Sequence, residues 1–309
     1  MIEQQHGDVR YMQFTHYLQF PELTHGIFTR LGGFSKTPYH SLNASFSSGD
    51  ILDSVIRNRY LTLQALHIQT YPCATLWQVH GADVATLDAA TWDDWRTDWP
   101  YRSYRIEQEG AQDITLQWTF KPLRKADAII TKARNVALAL SVADCLPVLF
   151  YDPVQSVLGM AHAGWRGSAR GVVLATVHAM SEQFSCLPHN IYAGIGPSIG
   201  LCCYEVSEDV QQLFHGKAQF DEMPTSVQYR NLVRESAVFS TEQRAGHSAK
   251  LHLDLWQTNW NQLLMAGLLP EHIELSEICT SCNTDRFFSH RAEHGKTGRF
   301  PAILAFRTL

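Results

Sequence analysis

Three short apolar runs, residues 136–142, 147–151 and 157–161, follow one another with only turns between them. Their length and their β-branched content predict strands rather than helices. Ala128-Ile129-Ile130-Thr131 before them and 191–195 after them read the same way, so the middle of the chain is a succession of strands and turns. Helical periodicity appears on either side. Leu52, Val55, Ile56, Tyr60, Leu63 and Leu66 share one face of a helix expected over 51–66, with Asp50 as its N-cap. A second helix is expected over 167–184, and a third after Asp254 as N-cap, closed by Gly267. Residues 25–30 read as a strand entering the Gly32-Gly33 turn, 75–79 as a strand delivering His80, and 302–306 as a last strand. Strands interleaved with helices, without internal repeat or low-complexity linker, predict an α/β (α+β) fold. That fold is one domain over 1–309, with mixed β-sheets flanked by helices.

Two segments depart from this pattern. Residues 88–124 mix Trp92, Trp95, Trp99, Tyr101, Tyr104 and Trp118 with Asp, Arg and Gln, without steady periodicity. They are expected to form a peripheral insertion whose aromatics pack on the body; a lid able to stack a planar base is the sharper alternative. Residues 215–250 are polar and irregular, and predict a second peripheral insertion or a frayed helical pair.

Composition excludes several classes. The 309 residues are 45% hydrophobic and 18% charged, as in a soluble globular protein. Net charge is −5, so no general field draws the chain to nucleic acid. No apolar run has the length of a membrane span, and the first residues lack the basic and apolar regions of a signal peptide. Seven cysteines, an odd number in a chain this size, predict reduced thiols, hence a cytoplasmic protein. Nothing in the sequence demands more than a monomer.

The chemistry sits at the ends of the strand-like runs. A lone buried cysteine such as Cys145 is ordinarily inert core, and a lone His162 ordinarily a satisfied core histidine. Asp144 beside Cys145 changes that reading, because a carboxylate in an apolar run is costly unless paired or used. His162, seventeen residues on, and His80 stand at two further strand ends. Two imidazoles and a thiolate suit zinc, with copper as the alternative, and three protein ligands leave a position open for reactant. After His162, Ala163-Gly164-Trp165-Arg166-Gly167 joins a strand to a helix start, where free N–H groups and the Arg166 guanidinium favour an anion such as phosphate. Arg30 is a second phosphate candidate, its plain alternative being an ion pair, and Asn43 and Gln78 are candidates for bonds to sugar or base. Cys202-Cys203 and Cys279-Thr280-Ser281-Cys282 are read as packing, because adjacent cysteines do not easily chelate one tetrahedral ion. His290 and His294 fall in a glycine-containing loop and are read as non-ligands.

Gln78-Val79-His80-Gly81, Lys125-Ala126-Asp127-Ala128, Ala143-Asp144-Cys145-Leu146-Pro147-Val148, Ala161-His162-Ala163-Gly164-Trp165-Arg166-Gly167 and Gly194-Ile195-Gly196-Pro197 through Cys202-Cys203-Tyr204-Glu205-Val206 together resemble the laccase-domain family. Its members were formerly called polyphenol oxidases and are now described as multifunctional purine nucleoside phosphorylases. The resemblance runs from about His25 to Arg299. It implies a single α/β domain related to a group of cysteine hydrolases, with zinc held by His80, Cys145 and His162. It further implies phosphorolysis of adenosine to adenine and ribose 1-phosphate, similar action on inosine, guanosine and methylthioadenosine, and deamination of adenosine. Asp144 would then carry a proton and Arg166 would hold phosphate. Two departures bear on substrate preference: Ala292 follows Arg291 where the family has a second arginine, and the Trp-rich segment is longer than usual. Copper oxidation of phenols and metal-free cysteine hydrolysis by Cys145 and His162 are the alternatives. The first lacks the His-X-His pairs of multicopper oxidases, and the second has no need of His80.

Overall fold

In the computed structural model, which describes residues 1–87, 101–106, 114–119, 125–216, 229–242 and 249–307, the apolar runs fold as strands. In chain order these are Ile2–His6 (β1), Val9–Gln13 (β2), Leu23–Phe28 (β3), Cys73–Ala74 (β4), Val84–Leu87 (β5), Tyr101–Ile106 (β6), Ile114–Thr119 (β7) and Ala128–Thr131 (β8). There follow Ala137–Val142 (β9), Leu146–Asp152 (β10), Val157–Ala163 (β11), Tyr192–Ile195 (β12), Phe239–Glu242 (β13), Lys250–Leu253 (β14), Ile273–Leu275 (β15) and Phe300–Phe306 (β16). Eight strands make one mixed sheet in the order β1-β2-β3-β16-β9-β4-β7-β6. Six make a second, β15-β12-β10-β11-β8-β5, and β13 and β14 form a separate pair.

The period-2 alternation of strand side chains sorts residues between two cores. Leu149, Tyr151, Leu158, Met160 and Ile129 of the six-stranded sheet meet Leu138, Leu140, Ile27, Ala302 and Leu304 of the eight-stranded one in a single buried cluster. Their neighbours Val148, Phe150, Ala161 and Ile130 face the other way, onto helices. A strand buried on both faces reads as a continuous apolar run, which explains the pattern of 136–161.

The α-helices among the described residues are Leu52–Ala65 (α1), Trp165–Arg170 (α2), Val172–Phe184 (α3), Glu208–Phe214 (α4), Arg230–Ser236 (α5) and Leu255–Met265 (α6). Ile56, Tyr60 and Leu63 of α1 cover the outer face of the larger sheet, packing with Phe28, Ala139 and Ile303. Val173, Val177 and Met180 of α3 and Leu263 of α6 cover the smaller sheet. The layers are therefore helix, sheet, sheet, helix, a mixed α/β architecture as expected. No described helix is long and apolar enough to cross a membrane.

Several local expectations change. The helix over 167–184 is two helices, broken where Gly171 takes φ +77° and ends α2 while starting α3. A left-handed residue stops a helix at little cost only when it is glycine. Ile51, not Asp50, is the N-cap of α1; the Asp50 carboxylate instead accepts from the Ile51 N–H and from the Asn43 side chain. The strand expected over 75–79 does not form: β4 ends before it at Ala74, and within it only an isolated bridge between Trp77 and Lys125 remains. Asp254 does cap α6, accepting from the Gln257 N–H, and Gly267 follows that helix with φ +96°. Within 88–124 the backbone of β6 and β7 pairs antiparallel at the edge of the larger sheet, and Trp92, Trp95 and Trp99 lie outside the described residues. Within 215–250, where an insertion or a frayed helical pair is expected, the described residues form one helix, α5, and the strand β13, which pairs with β14.

Candidate metal centre and active site

Register brings four chemically active residues to one end of the smaller sheet. β10 and β11 run antiparallel with Leu146 opposite Ala163, so Cys145 lies beside Gly164, just past the end of β11. β8 pairs with β11 so that Ala128 faces Ala161, which puts Asp127 next to His162. β5 runs parallel to β8 with Val84 opposite Ala128, which carries the 79–81 turn alongside Asp127. The result is that His80, Cys145 and His162 offer ligand atoms all within 4.8 Å of one another. His80 Nε2 lies 3.8 Å from Cys145 Sγ, and the two imidazoles meet edge to face with centroids 4.9 Å apart. His162 lies inside β11 rather than after it. Gly164 is required at this point, because a Cβ there would come within 2.9 Å of Cys145 Sγ. His80 and Asp144 hold φ values of +60° and +77°. Such backbone is uncommon for residues other than glycine and recurs at functional sites.

Asp127, singled out in the sequence only as part of the Lys125-Ala126-Asp127-Ala128 motif, organises the centre. Its carboxylate is fully buried. One oxygen accepts from His162 Nδ1 at 2.8 Å and the His80 N–H at 3.0 Å; the other accepts from the N–H groups of Val79 at 3.1 Å and Gly81 at 2.6 Å. Burial opposes its ionisation, but the His162 hydrogen bond and charge, with the Gly81 and Val79 N–H groups, hold the carboxyl below its usual range. By engaging Nδ1, Asp127 leaves the Nε2 of His162 to face Cys145. Burial pushes the Cys145 thiol up, yet the charge of His162 and hydrogen bonds from both histidines bring it down to about 6. His162 is moved up to about 10: burial works against its charge, and Cys145 and Asp127 outweigh burial.

This donor set fits a metal. Zinc–sulfur and zinc–nitrogen bonds at a tetrahedral centre place the S and N atoms about 3.6 Å apart, close to the 3.8 Å between Cys145 and His80. A carboxylate on the far nitrogen of a ligating histidine fixes its tautomer and raises its basicity, which is the relation of Asp127 to His162.

The centre opens into a cavity of about 560 Å³. Ser45, Ser47, Gln78, Ser141, Trp165 and Tyr204 line it, as do Arg166, Arg291 and Arg299; an Arg291 guanidinium nitrogen donates to the Glu205 carbonyl, and one of Arg299 donates to the Gly298 carbonyl. Asp144 and His290 face it too. Each Asp144 oxygen already has a donor at 2.6 Å, the Thr280 hydroxyl on one and the Arg291 N–H on the other. Two expected site residues are not in the lining. Asn43 is fully buried; its amide bonds Ser48 and Asp50 and accepts from the N–H groups of Ser45 and Arg299. It shapes the loop that presents Ser45 and Ser47. Arg30 is spent on the Thr284 and His40 carbonyls and the Glu293 carboxylate, with its guanidinium over Phe288. Arg299, Tyr204 and His290 were not singled out for the site. Each comes from a turn or strand start whose place depends on distant pairing, and only Asp127, a carboxylate within Ala126-Asp127-Ala128-Ile129, carried a sequence signal of the kind that marked Asp144.

A family model described as multi-copper polyphenol oxidoreductase laccase matches residues 24–307. A purine nucleoside phosphorylase of Geobacillus stearothermophilus, YlmD, is 36% identical over 284 residues, covering 91% of this chain and 89% of that one. The Escherichia coli purine nucleoside phosphorylase YfiH is 31% identical over 276 residues, covering 89% and 90%. The crystal structure of YlmD from Geobacillus stearothermophilus superposes with a TM-score of 0.76 at 31% identity, covering 99% of each chain. Matching sequence motifs, architecture and length agree: the chain belongs to the multi-copper polyphenol oxidoreductase laccase family.

Proposed function

We propose that this chain is a cytoplasmic, zinc-dependent purine nucleoside phosphorylase that converts adenosine and phosphate to adenine and ribose 1-phosphate. Inosine, guanosine and methylthioadenosine are proposed as further substrates, and deamination of adenosine as a second reaction. The observation that carries this reading is the meeting of His80, Cys145 and His162 at a cavity ringed by three arginines. The names of the relatives supply the reaction class.

Phosphorolysis joins a phosphate oxygen to C1′ of the ribose while the C1′–N9 bond breaks, and the electron pair of that bond leaves with the purine. The protein has to gather a phosphate and a sugar cation at one point and accept charge on the departing base. Arg166 and Arg299 are assigned to the phosphate, since a guanidinium offers paired N–H donors to its oxygens. Gln78, Ser45 and Ser47 are assigned to the sugar hydroxyls, and Trp165 and Tyr204 to the flat base. His80, Cys145 and His162 would hold zinc, which supplies Lewis-acid stabilisation of developing negative charge. Asp127 orients His162. Asp144 is assigned to fixing the Arg291 segment instead of the proton transfer expected of it, because both its oxygens accept short hydrogen bonds. His290, an imidazole at the cavity wall, is assigned delivery of a proton to the departing purine.

A metal-free cysteine hydrolase is the second reading, favoured by one observation: Cys145, His162 and Asp127 are aligned as nucleophile, base and orienting carboxylate. Incubating the purified chain with adenosine, with and without phosphate, and separating adenine from inosine tests the first reading. Adenine that depends on phosphate supports it, and its absence overturns it. Retention of full turnover in His80→Ala would favour the hydrolase, which has no use for that residue. Copper oxidation of phenols would require oxygen uptake at a rate rivalling phosphorolysis.

A further inference from the structure

Four other cysteines gather near the Thr280 hydroxyl that bonds Asp144. Cys202 and Cys203 lie in the turn that follows β12, and Cys279 and Cys282 in the turn that follows β15. The sulfurs of all four lie within 4.8 Å of one another. Cys282 Sγ is 3.5 Å from that of Cys202 and 3.4 Å from that of Cys203. From the sequence, adjacent cysteines argue against one tetrahedral centre. The structure corrects that objection, because the tight turn at 200–204, closed by the Cys203 and Tyr204 N–H groups on the Gly200 carbonyl, lets both neighbouring side chains reach Cys282.

We propose that Cys202, Cys203, Cys279 and Cys282 form a second, structural metal site, a tetrathiolate centre for zinc. A zinc–sulfur bond of about 2.3 Å makes each edge of a tetrahedron of thiolates about 3.8 Å; the two separations at Cys282, 3.5 and 3.4 Å, fall just short of that length, and no pair of the four sulfurs is more than 4.8 Å apart. A multi-iron cluster would hold its cysteine sulfurs further apart, since several irons and bridging sulfides must fit between them. A disulfide would take Cys282 to one partner, whereas here it is equally close to two. The surroundings of Cys279 suit a thiolate. The Gly200 N–H donates to Cys279 Sγ at 3.3 Å, the Cys282 N–H also donates to that sulfur, and four soft sulfur donors select zinc over hard cations.

The two turns are already stitched together. Ser198 bridges Cys279, the Thr280 N–H donates to the Ser198 carbonyl, and Trp256 Nε1 donates to the Ser198 hydroxyl. The same two segments deliver Ile199 and Tyr204 on one side, and His290 and Arg291 on the other, to the wall of the cavity. Thr280 and Arg291 both bond Asp144. An ion at the four cysteines would pin this wall from behind while contributing no group to the cavity.

The test is metal content of the full chain, expressed with zinc and purified without oxygen, measured against Cys282→Ser, in which an exposed sulfur is removed. One equivalent of zinc should be lost in that variant, whatever the His80 centre holds, and His162→Ala should leave that equivalent in place. Cobalt loading gives a readout that needs no variant: wild-type protein should show the intense visible and thiolate charge-transfer bands of a four-sulfur cobalt centre. Those bands should persist in His162→Ala. Equal zinc in wild type and Cys282→Ser, or a cobalt spectrum without four-sulfur bands, would overturn the proposal. An intact mass lower by the hydrogens of a disulfide, mapped to any pair of these cysteines, would overturn it too.

Discussion

Replacing Asp127 with asparagine is the perturbation on which the proposed centre most clearly depends. The side chain keeps its shape and burial, so the change is confined to charge and to hydrogen-bond polarity. The carboxylate accepts four hydrogen bonds, two on each oxygen. An amide keeps one accepting atom and turns two N–H donors toward groups that themselves donate. Two bonds to a charged acceptor are therefore lost, at about 1.5–3 kcal/mol each, and breaking a buried pair typically costs about 3–5 kcal/mol. A stability loss of roughly 3–5 kcal/mol in urea unfolding is expected. Removing the carboxylate behind a ligating histidine costs about 10–100-fold in metal affinity, or about 1.4–2.7 kcal/mol. A chromophoric chelator in competition with the folded protein reads that affinity directly. Proton NMR of His162 supplies a signal that a merely structural residue would not move: without Asp127 its pKa should fall from the value of about 10 that the carboxylate helps to sustain. Metal affinity unchanged within twofold, together with an unmoved His162 titration, would refute the reasoning.

Gly164→Ala should leave the global fold intact but reduce metal content and turnover by at least about tenfold, because its Cβ would sit 2.9 Å from Cys145 Sγ; elemental analysis and the adenosine assay check it, and full metal occupancy would count against it. Arg166→Ala and Arg299→Ala should each raise the KM for phosphate by about tenfold or more, with less effect on that for adenosine; initial rates at varied phosphate decide the matter. His25 is buried, and burial first and then His16 lower its pKa to about 3, while its Nε2 accepts the Phe14 N–H at 2.8 Å. The unfolded chain takes up this proton below about 6.5 and the folded chain does not until about pH 3, so stability should fall by about 1.4 kcal/mol per unit as pH drops through that window. His25→Gln should lack this component, so the wild-type advantage in urea midpoint should shrink from pH 6 to pH 4; a gap that stays constant with pH would exclude it.

The extent to which the molecule is legible in its sequence follows from how local each signal is. Strands buried on two faces announce themselves as apolar runs, so β8 to β12 were readable to within a residue or two. The cap at Asp254 and the stop at Gly267 are short-range devices and were readable for the same reason. Gly171 was not read as a helix break, because a single glycine in a helical pattern does not disclose its φ. Thr75 to Val79 resembled a strand, yet the chain there pairs only in passing and then turns at His80, whose left-handed backbone is held by Asp127. Asn43 and Arg30 carried polar groups suited to substrate, but those groups are consumed by neighbours far away in sequence, such as Arg299 and Glu293.

The two cysteine-bearing clusters show where such reading has to stop. The three donors of the first lie in different segments, but each stands beside an apolar run, and a polar side chain there announces a cleft without reference to its partners. The second cluster sits in two turns that meet only because β12 and β15 lie side by side in parallel, Ile195 opposite Leu275. Judged alone, Cys202-Cys203 is poor chelating geometry, and Cys279-Thr280-Ser281-Cys282 is half a site. Parallel pairing carries both turns past the same sheet end, and the Gly200 turn then splays the adjacent thiols toward Cys282. A centre split between two half-sites is therefore a property of strand order, and strand order is what a linear pattern of apolar runs leaves undetermined. The same strand order sets Thr280, the neighbour of Cys279, against the carboxylate of Asp144, the neighbour of Cys145, so that one hydrogen bond links the segments that carry the two sets of sulfur donors.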